Sequence, residues 1–143
     1  RACCELGNKV YFLKATELNQ RLTQARKNDS VGSTTNGLVK PSCLIIDEMG
    51  RCKFDKDNTR IFFDVIDRRA SKEGPNCMIF TSNKSPSRWK EDFDEDDTLL
   101  CALDRIFDNA IVYMMDGKSY RGRKLETVAV KVGSTSDLLD PVK

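Results

Sequence analysis

The sequence predicts an α/β protein, a parallel sheet flanked by helices. Three observations carry that prediction. Short apolar runs rich in β-branched and aromatic residues recur at 9–13, 42–47, 77–81 and 110–115. Between them lie segments of helical periodicity, about 10–15 residues each, the alternation expected of βαβ units. The run Leu44-Ile45-Ile46-Asp47-Glu48 passes without a break from large apolar residues to two carboxylates. Such a run fits a strand buried on both faces. In open α/β sheets, ligands collect outside the carboxyl ends of the strands, where Asp47 and Glu48 would stand.

The elements follow in order. Lys9 to Leu13 reads as a strand. Thr16 is placed to cap a helix with Glu17 in its first turn, and Leu18, Leu22 and Ala25 recur on one face. Gly32 to Gly37 reads as a flexible loop. The second strand, Ser42 to Asp47, follows Pro41. Asp57 or Asn58 caps the next helix, whose apolar stripe is Ile61, Phe62, Val65 and Ile66, and Gly74-Pro75 closes the segment. Cys77 to Thr81 is the third strand. Ser85-Pro86 opens a short helical turn, since Pro suits the first helical position. Thr98 starts a helix with Leu99, Leu100, Leu103, Ile106 and Phe107 on its apolar face. Ala110 to Met115 makes a fourth strand, Gly117 a turn, and Val128 to Val132 a further short strand. Residues 134–143 lack periodicity and read as a mobile tail after a core spanning 1–133.

Composition narrows the chemistry. The 143 residues suit one domain, with 39% hydrophobic and 32% charged residues and a net charge of +2, so no overall field demands a polyanionic partner. No apolar stretch nears the roughly 20 residues of a membrane helix. The chain begins with Arg1 rather than Met, as expected of a piece of a longer protein. With six Cys and no His, Ser-His-Asp triads and His-ligated zinc are excluded. The cysteines show no C-x-x-C spacing, and Cys43, Cys77 and Cys101 fall in apolar segments. Buried free thiols and a reducing cytoplasm are expected. Six of the seven positions from Glu91 to Asp97 are acidic. The stretch has no Gly for a calcium-loop turn and reads as a solvated loop.

Phosphoryl transfer to water needs a metal ligand, a water-positioning group and cations for the developing charge. Asp47 suits the first task, holding Mg²⁺ through a water. Glu48 suits the second, because its carboxylate can take a proton from the attacking water. Taken alone, the pair also fits a strand that runs into a solvated acidic turn. The next strand strengthens the catalytic reading. If the two strands are neighbours, Asn83 falls beside Asp47 and Glu48 and can bond the water or the γ-phosphate, although an isolated Asn there is a common turn former. Arg105 and Arg121 supply guanidinium groups that match phosphoryl oxygens in a fork. Either arginine alone reads more readily as a solvated surface charge.

The segments Leu44-Ile45-Ile46-Asp47-Glu48-Met49-Gly50, Thr81-Ser82-Asn83, Leu103-Asp104-Arg105 and Ser119-Tyr120-Arg121-Gly122-Arg123 stand in the order and spacing of the IstB-like branch of AAA+ ATPases. The chain resembles that branch from about Lys9 to Arg123, Trp89 included. The branch contains helpers of insertion-sequence transposases and is related to DnaC-type helicase loaders. The resemblance implies a partial AAA+ P-loop NTPase core. Asp47 and Glu48 would be its Walker B pair and Asn83 its sensor 1. Arg105 would be an arginine finger reaching the ATP of a neighbouring subunit, and Arg121 a sensor 2 touching phosphate in its own. It also implies ATP and Mg²⁺ as cofactors, assembly as a ring or spiral on DNA, and a transposase or a replicative helicase as partner.

The Walker A loop, G-x-x-x-x-G-K-[ST], is not in this sequence. Gly32 and Gly37 bracket Ser33-Thr34-Thr35-Asn36, but Leu38-Val39 follow where Lys and Ser/Thr are needed. By the resemblance, the missing P-loop strand would lie between the third and fourth strands, so its absence leaves apolar edges open. Weak or no ATP binding by these residues alone is expected. DNA contacts, through Lys14, Arg21, Arg26 and Lys27 on and beside the first long helix, would go to phosphates and depend strongly on salt. A solvated helix face explains the same charges. Two rivals share this core: a replicative helicase loader, and a non-enzymatic interaction module derived from an AAA+ ATPase.

Overall fold

The predicted parallel sheet is present but narrower than the strand count suggested. A computed structural model of the protein describes residues 2–94, 98–108, 110–116 and 129–133. After a short helix α1 (Ala2–Glu5) come β1 (Val10–Lys14), α2 (Ala15–Lys27), α3 (Val31–Val39), β2 (Cys43–Met49), α4 (Lys56–Ala70) and β3 (Cys77–Ser82). A 3₁₀ helix (Pro86–Asp92), α5 (Thr98–Phe107), β4 (Val112–Asp116) and β5 (Ala129–Gly133) follow. The sheet order is β1-β2-β3, all parallel. β4 does not join it; it pairs antiparallel with β5. The fourth strand was expected in the parallel sheet. An antiparallel neighbour close in sequence satisfies its backbone instead, which needs no crossover. Arg1–Arg105 forms one compact unit and Ile106–Lys143 a second.

The core of the first unit lies on one face of the sheet. Leu13, Leu44 and Ile46 are buried there with Leu18, Leu22 and Ala25 of α2, Leu38 of α3, and Phe62, Val65 and Ile66 of α4. The three helices pack on one another, as right-handed crossovers in one direction require. Successive residues point to opposite faces, so Phe12, Ile45 and Ile79, aligned across β1, β2 and β3, form a row on the other side. Phe12 is 57% exposed and Ile79 43%. Cys77 on the β3 edge and Cys4 are exposed, against the expectation of buried thiols, whereas Cys43 is buried. Burial, and then the nearby Asp92 carboxylate, push the Cys52 thiol up, the reverse of a reactive thiolate.

Several local expectations change. Residues Gly32 to Gly37 are helical rather than a loop, because Thr35 and Leu38 fall one turn apart and are both buried. Tertiary burial overrides the low helix propensity of two glycines. α2 begins at Ala15 with Lys14 at its N-cap, so Thr16 is inside the helix. α4 is capped by Asp55, whose side chain accepts from the Asn58 N–H at 2.8 Å, rather than by Asp57 or Asn58. Asn58 is instead buried and donates to Asn19 Oδ1 and Thr23 Oγ1, both at 2.8 Å, tying α4 to α2. Arg69 is fully buried. It donates to the carbonyls of Leu38, Val39, Pro41 and Cys77, which staples the end of α3 to the starts of β2 and β3.

The acidic stretch is not uniformly solvated. Asp92 is 4% exposed and pairs with Lys84. Phe93 beside it stacks into a cluster with Phe54, Phe62 and Phe63, ring centroids 5.3 to 5.8 Å apart. The apolar Phe93 pulls its acidic neighbour inward, and Lys84 compensates the buried charge. Trp89 of the 3₁₀ helix is buried edge-on against Phe80. Residues 95–97 and 134–143, the Gly117 turn and Arg121 lie outside the described residues.

Candidate functional site at the end of β2

β2 does not stop at the carboxylates, as the sequence suggested, but carries them in an irregularity and runs on to Met49. The register with β3 shifts between Ile46 and Met49, and Asp47 and Glu48 occupy the shift. Glu48 has φ +59°, a left-handed conformation rare for a residue with a long side chain. A bulge of this kind re-aims side chains at a strand end and is common beside active sites.

The neighbouring strand holds the bulge. Thr81 Oγ1 donates to Asp47 Oδ1 and accepts from the Glu48 N–H at 3.0 Å. One residue on, Ser82 Oγ donates to the Met49 carbonyl at 2.8 Å. Asn83 is exposed in the bend after β3. Thr81 and Ser82 at the end of β3 thus stand against Asp47, Glu48 and Met49, and Asn83 follows them in the chain. Sequence reasoning missed Thr81, whose only visible signal was a hydroxyl at a strand end opposite two carboxylates.

Two cations flank Glu48. Lys14 Nζ, at the end of β1, lies 3.2 Å from Oε2, and Arg51 Nη2 lies 3.5 Å from Oε1. Beyond them Gly50, with φ +95°, turns the chain under Lys84 and Asp92. No group of three potential metal-ligating side chains exists among the described residues. The two adjacent carboxylates fit Mg²⁺, which keeps several waters and binds through one or two carboxylates together with phosphates. They do not fit a cation that needs an all-protein cage.

The other predicted residues are dispersed. Arg105 pairs with Asp67 in the last turn of α4. Two residues later, Arg69 bonds the Pro41 and Cys77 carbonyls at the starts of β2 and β3, so Arg105 stands at the opposite end of the strands from Glu48. Arg21 pairs with Glu17 at 2.7 Å and donates to the Tyr11 hydroxyl. Arg26 bridges to Asp55 at 2.9 Å and to Asp57. Lys27 is exposed. A cavity of about 310 Å³ between β1, α2 and α3, lined by Tyr11, Arg21, Ser33 and Leu38 among others, does not include Asp47, Glu48 or Asn83. Among the described residues no helix is long and apolar enough to cross a membrane.

The family described as IstB-like ATP binding protein matches residues 1–127. The putative ATP-binding protein of insertion sequence IS5376 from Geobacillus stearothermophilus is 36% identical over 82% of this chain and 46% of its own length. Its counterpart in IS232 from Bacillus thuringiensis is 32% identical over 84% of this chain and 47% of its own. That of IS21 from Pseudomonas aeruginosa is 26% identical over 95% and 50%. The chain thus spans about half the length of the curated relatives it matches. AMPPCP-bound DnaA from Aquifex aeolicus superposes with a TM-score of 0.59, at 15% identity, over 71% of this chain and 31% of that one. A DNA replication initiation factor superposes with the same TM-score at 14% identity, over 72% and 30%. Likeness at that identity speaks for the fold, an AAA+ type α/β core with a parallel sheet flanked by helices. With the family matched over most of its length, the chain belongs to the IstB-like ATP-binding proteins.

Proposed function

We propose that this chain carries the hydrolytic side of an ATP site and that the protein it serves is a Mg²⁺-dependent ATPase assisting DNA transposition. The observation that carries the reading is the bulge at Asp47-Glu48, pinned by Thr81 in the adjacent strand, within a chain of an ATP-binding family. Asp47 holds the hydrated cation. Glu48 takes a proton from the attacking water at a carboxylate oxygen. Asn83 orients that water or the γ-phosphate from the next strand end. Mg²⁺, when bound, neutralises charge on the phosphates. Arg121 contacts phosphate in the same subunit, and Arg105 reaches the ATP of a neighbour.

The phosphate cradle is not among these residues, since no Walker A is present in them. Residues 1–143 alone therefore bind Mg-ATP weakly or not at all, and micromolar binding by isothermal titration would falsify this. The relatives' insertion-sequence context favours a transposase over a replicative helicase as partner. The cytoplasm, where transposition substrates and ATP meet, is the expected compartment. DNA contact falls to Lys14, Arg21, Arg26 and Lys27. Three of these are engaged in ion pairs, so phosphate binding has to compete for them and weakens as salt rises.

The deciding experiment is Glu48→Gln in a protein joining this chain to a Walker A segment. ATP binding should persist while turnover falls by about a hundredfold or more, the usual contribution of a general base. Undiminished turnover would remove Glu48 from the chemistry. If the joined protein binds ATP but never hydrolyses it, the interaction-module reading takes over.

A further inference from the structure

We infer that Thr81 is the residue that positions the Asp47-Glu48 pair, acting through one hydroxyl on both. The inference rests on the ATPase reading above and adds to it a residue that the reading does not contain. A threonine hydroxyl has one hydrogen to give and lone pairs to accept with. Thr81 gives its hydrogen to Asp47 Oδ1 and accepts the Glu48 N–H at 3.0 Å. The first bond occupies one carboxylate oxygen and leaves Asp47 to present Oδ2. The second holds the amide of a residue whose φ of +59° is strained. Glutamate has no reason to stay in the left-handed region unless neighbouring groups over-determine it. In the regular ladder its N–H would seek a β3 carbonyl, but the register is broken between Ile46 and Met49. Thr81 Oγ1 stands in for that carbonyl. Its γ-methyl limits side-chain rotation, so the hydroxyl is delivered in a fixed direction. Serine can make both bonds but with a freer rotor. Valine keeps the shape and makes neither.

The same bulge could also be held by Ser82, which bonds the Met49 carbonyl at 2.8 Å. That bond fixes the far side of the irregularity and touches neither carboxylate residue. The two hydroxyls therefore have separable effects: loss of Ser82 loosens the strand end, whereas loss of Thr81 misaims Asp47 and Glu48 specifically.

The test compares Thr81→Val, Thr81→Ser and Glu48→Gln with wild type in a protein joining this chain to a Walker A segment. It reads kcat, KM for ATP, the Mg²⁺ concentration at half-maximal rate, and hydrogen exchange at the Glu48 amide. Thr81→Val should lower kcat by about tenfold or more, as misplacement of a catalytic group does, with KM for ATP within about twofold. It should also raise the Mg²⁺ requirement, and speed Glu48 amide exchange by about tenfold, the value of one lost hydrogen bond. Thr81→Ser should recover each quantity to within about threefold, the smaller deficit reflecting the freer rotor. Unchanged kcat and Mg²⁺ requirement in Thr81→Val overturns the inference. So does a Thr81→Ser variant as impaired as Thr81→Val. If Thr81→Val fails to fold, exchange in wild type and Thr81→Ser still decides, because an unprotected Glu48 amide in either overturns it. Full turnover in Glu48→Gln overturns the ATPase reading instead, while the exchange data still report on the Thr81 bond.

Discussion

Lys14 Nζ lies 3.2 Å from Glu48 Oε2, a salt bridge from the end of β1 to the end of β2. The lysine is half exposed and the glutamate less so, which makes the pair worth little for folding, about 1 kcal/mol at most. For the proposed chemistry it matters more, because Lys14 competes with water for the carboxylate oxygen that would receive the proton. Lys14→Met should leave thermal stability within about 1 kcal/mol and raise ATP turnover by about two- to threefold at low salt. The gain should shrink as salt screens the pair in the wild type. Steady-state rates of both proteins across a salt series check this. A large fall in turnover would mean that Lys14 touches the nucleotide itself.

Asp55 links the cap of α4 to α2. Its carboxyl sits below the ordinary Asp range, chiefly because it accepts the Asn58 N–H, with Arg26 adding a smaller pull. A depressed folded pKa stabilises the fold above the unfolded value, and that stability is lost as pH falls through the folded value. The window thus lies at and below about pH 4, the usual Asp value. Asp55→Asn keeps an N-cap acceptor and should remove the acid-dependent part alone. Asp55→Ala removes the cap too and should cost about 1 kcal/mol at neutral pH. Melting temperatures from pH 7 to 3 separate them: the wild-type and Asn curves should converge at the acid end.

Gly50 has φ +95°, and a Cβ there would meet Lys84 Cδ at 3.0 Å and Asp92 Oδ2 at 3.3 Å. Gly50→Ala combines backbone strain with disturbance of the Lys84–Asp92 pair. It should destabilise by about 1–3 kcal/mol, seen as a lower urea midpoint with an unchanged slope. Asp92 is nearly buried, so a displaced Lys84 leaves a carboxylate short of its partner. Wild-type stability in Gly50→Ala would show that Lys84 swings aside at no cost.

What the sequence made legible was what period and motif encode. The apolar run into Asp47-Glu48 located the end region of β2, and the order of the segments put the Thr81-Ser82 end of β3 next to it. Two kinds of feature stayed hidden. One depends on burial across long separations: Thr35 and Leu38 turn a glycine-containing stretch into α3, and Phe93 draws Asp92 inward out of an acidic run. The other depends on single bonds between strands. The left-handed Glu48 has no signature in composition or spacing, and Thr81 shows only a hydroxyl at a strand end, which does not reveal the two bonds it makes. The neighbourhood of the site could be read from the chain, but not the bulge that aims its carboxylates.

Arg105 cannot serve the Glu48 of its own chain. Its partner Asp67 belongs to the last turn of α4, beside Arg69, which bonds the carbonyls where β2 and β3 begin. Glu48 stands where β2 ends, and strands of this length span about 20 Å. A long side chain does not bridge that distance, so any role for Arg105 in hydrolysis is played across a subunit boundary. In a protein joining this chain to a Walker A segment, Arg105→Ala should lose turnover while keeping ATP binding. The surface pair with Asp67 contributes at most about 1 kcal/mol, so the fold should hold. Mixing Arg105→Ala with Glu48→Gln subunits should restore part of the activity, because some interfaces then combine an intact Glu48 with an intact Arg105. Asp67→Ala is the control. It breaks the same ion pair but leaves the guanidinium, and should keep turnover. Equal loss in Asp67→Ala and Arg105→Ala, with no rescue on mixing, would reduce Arg105 to a structural partner of α4.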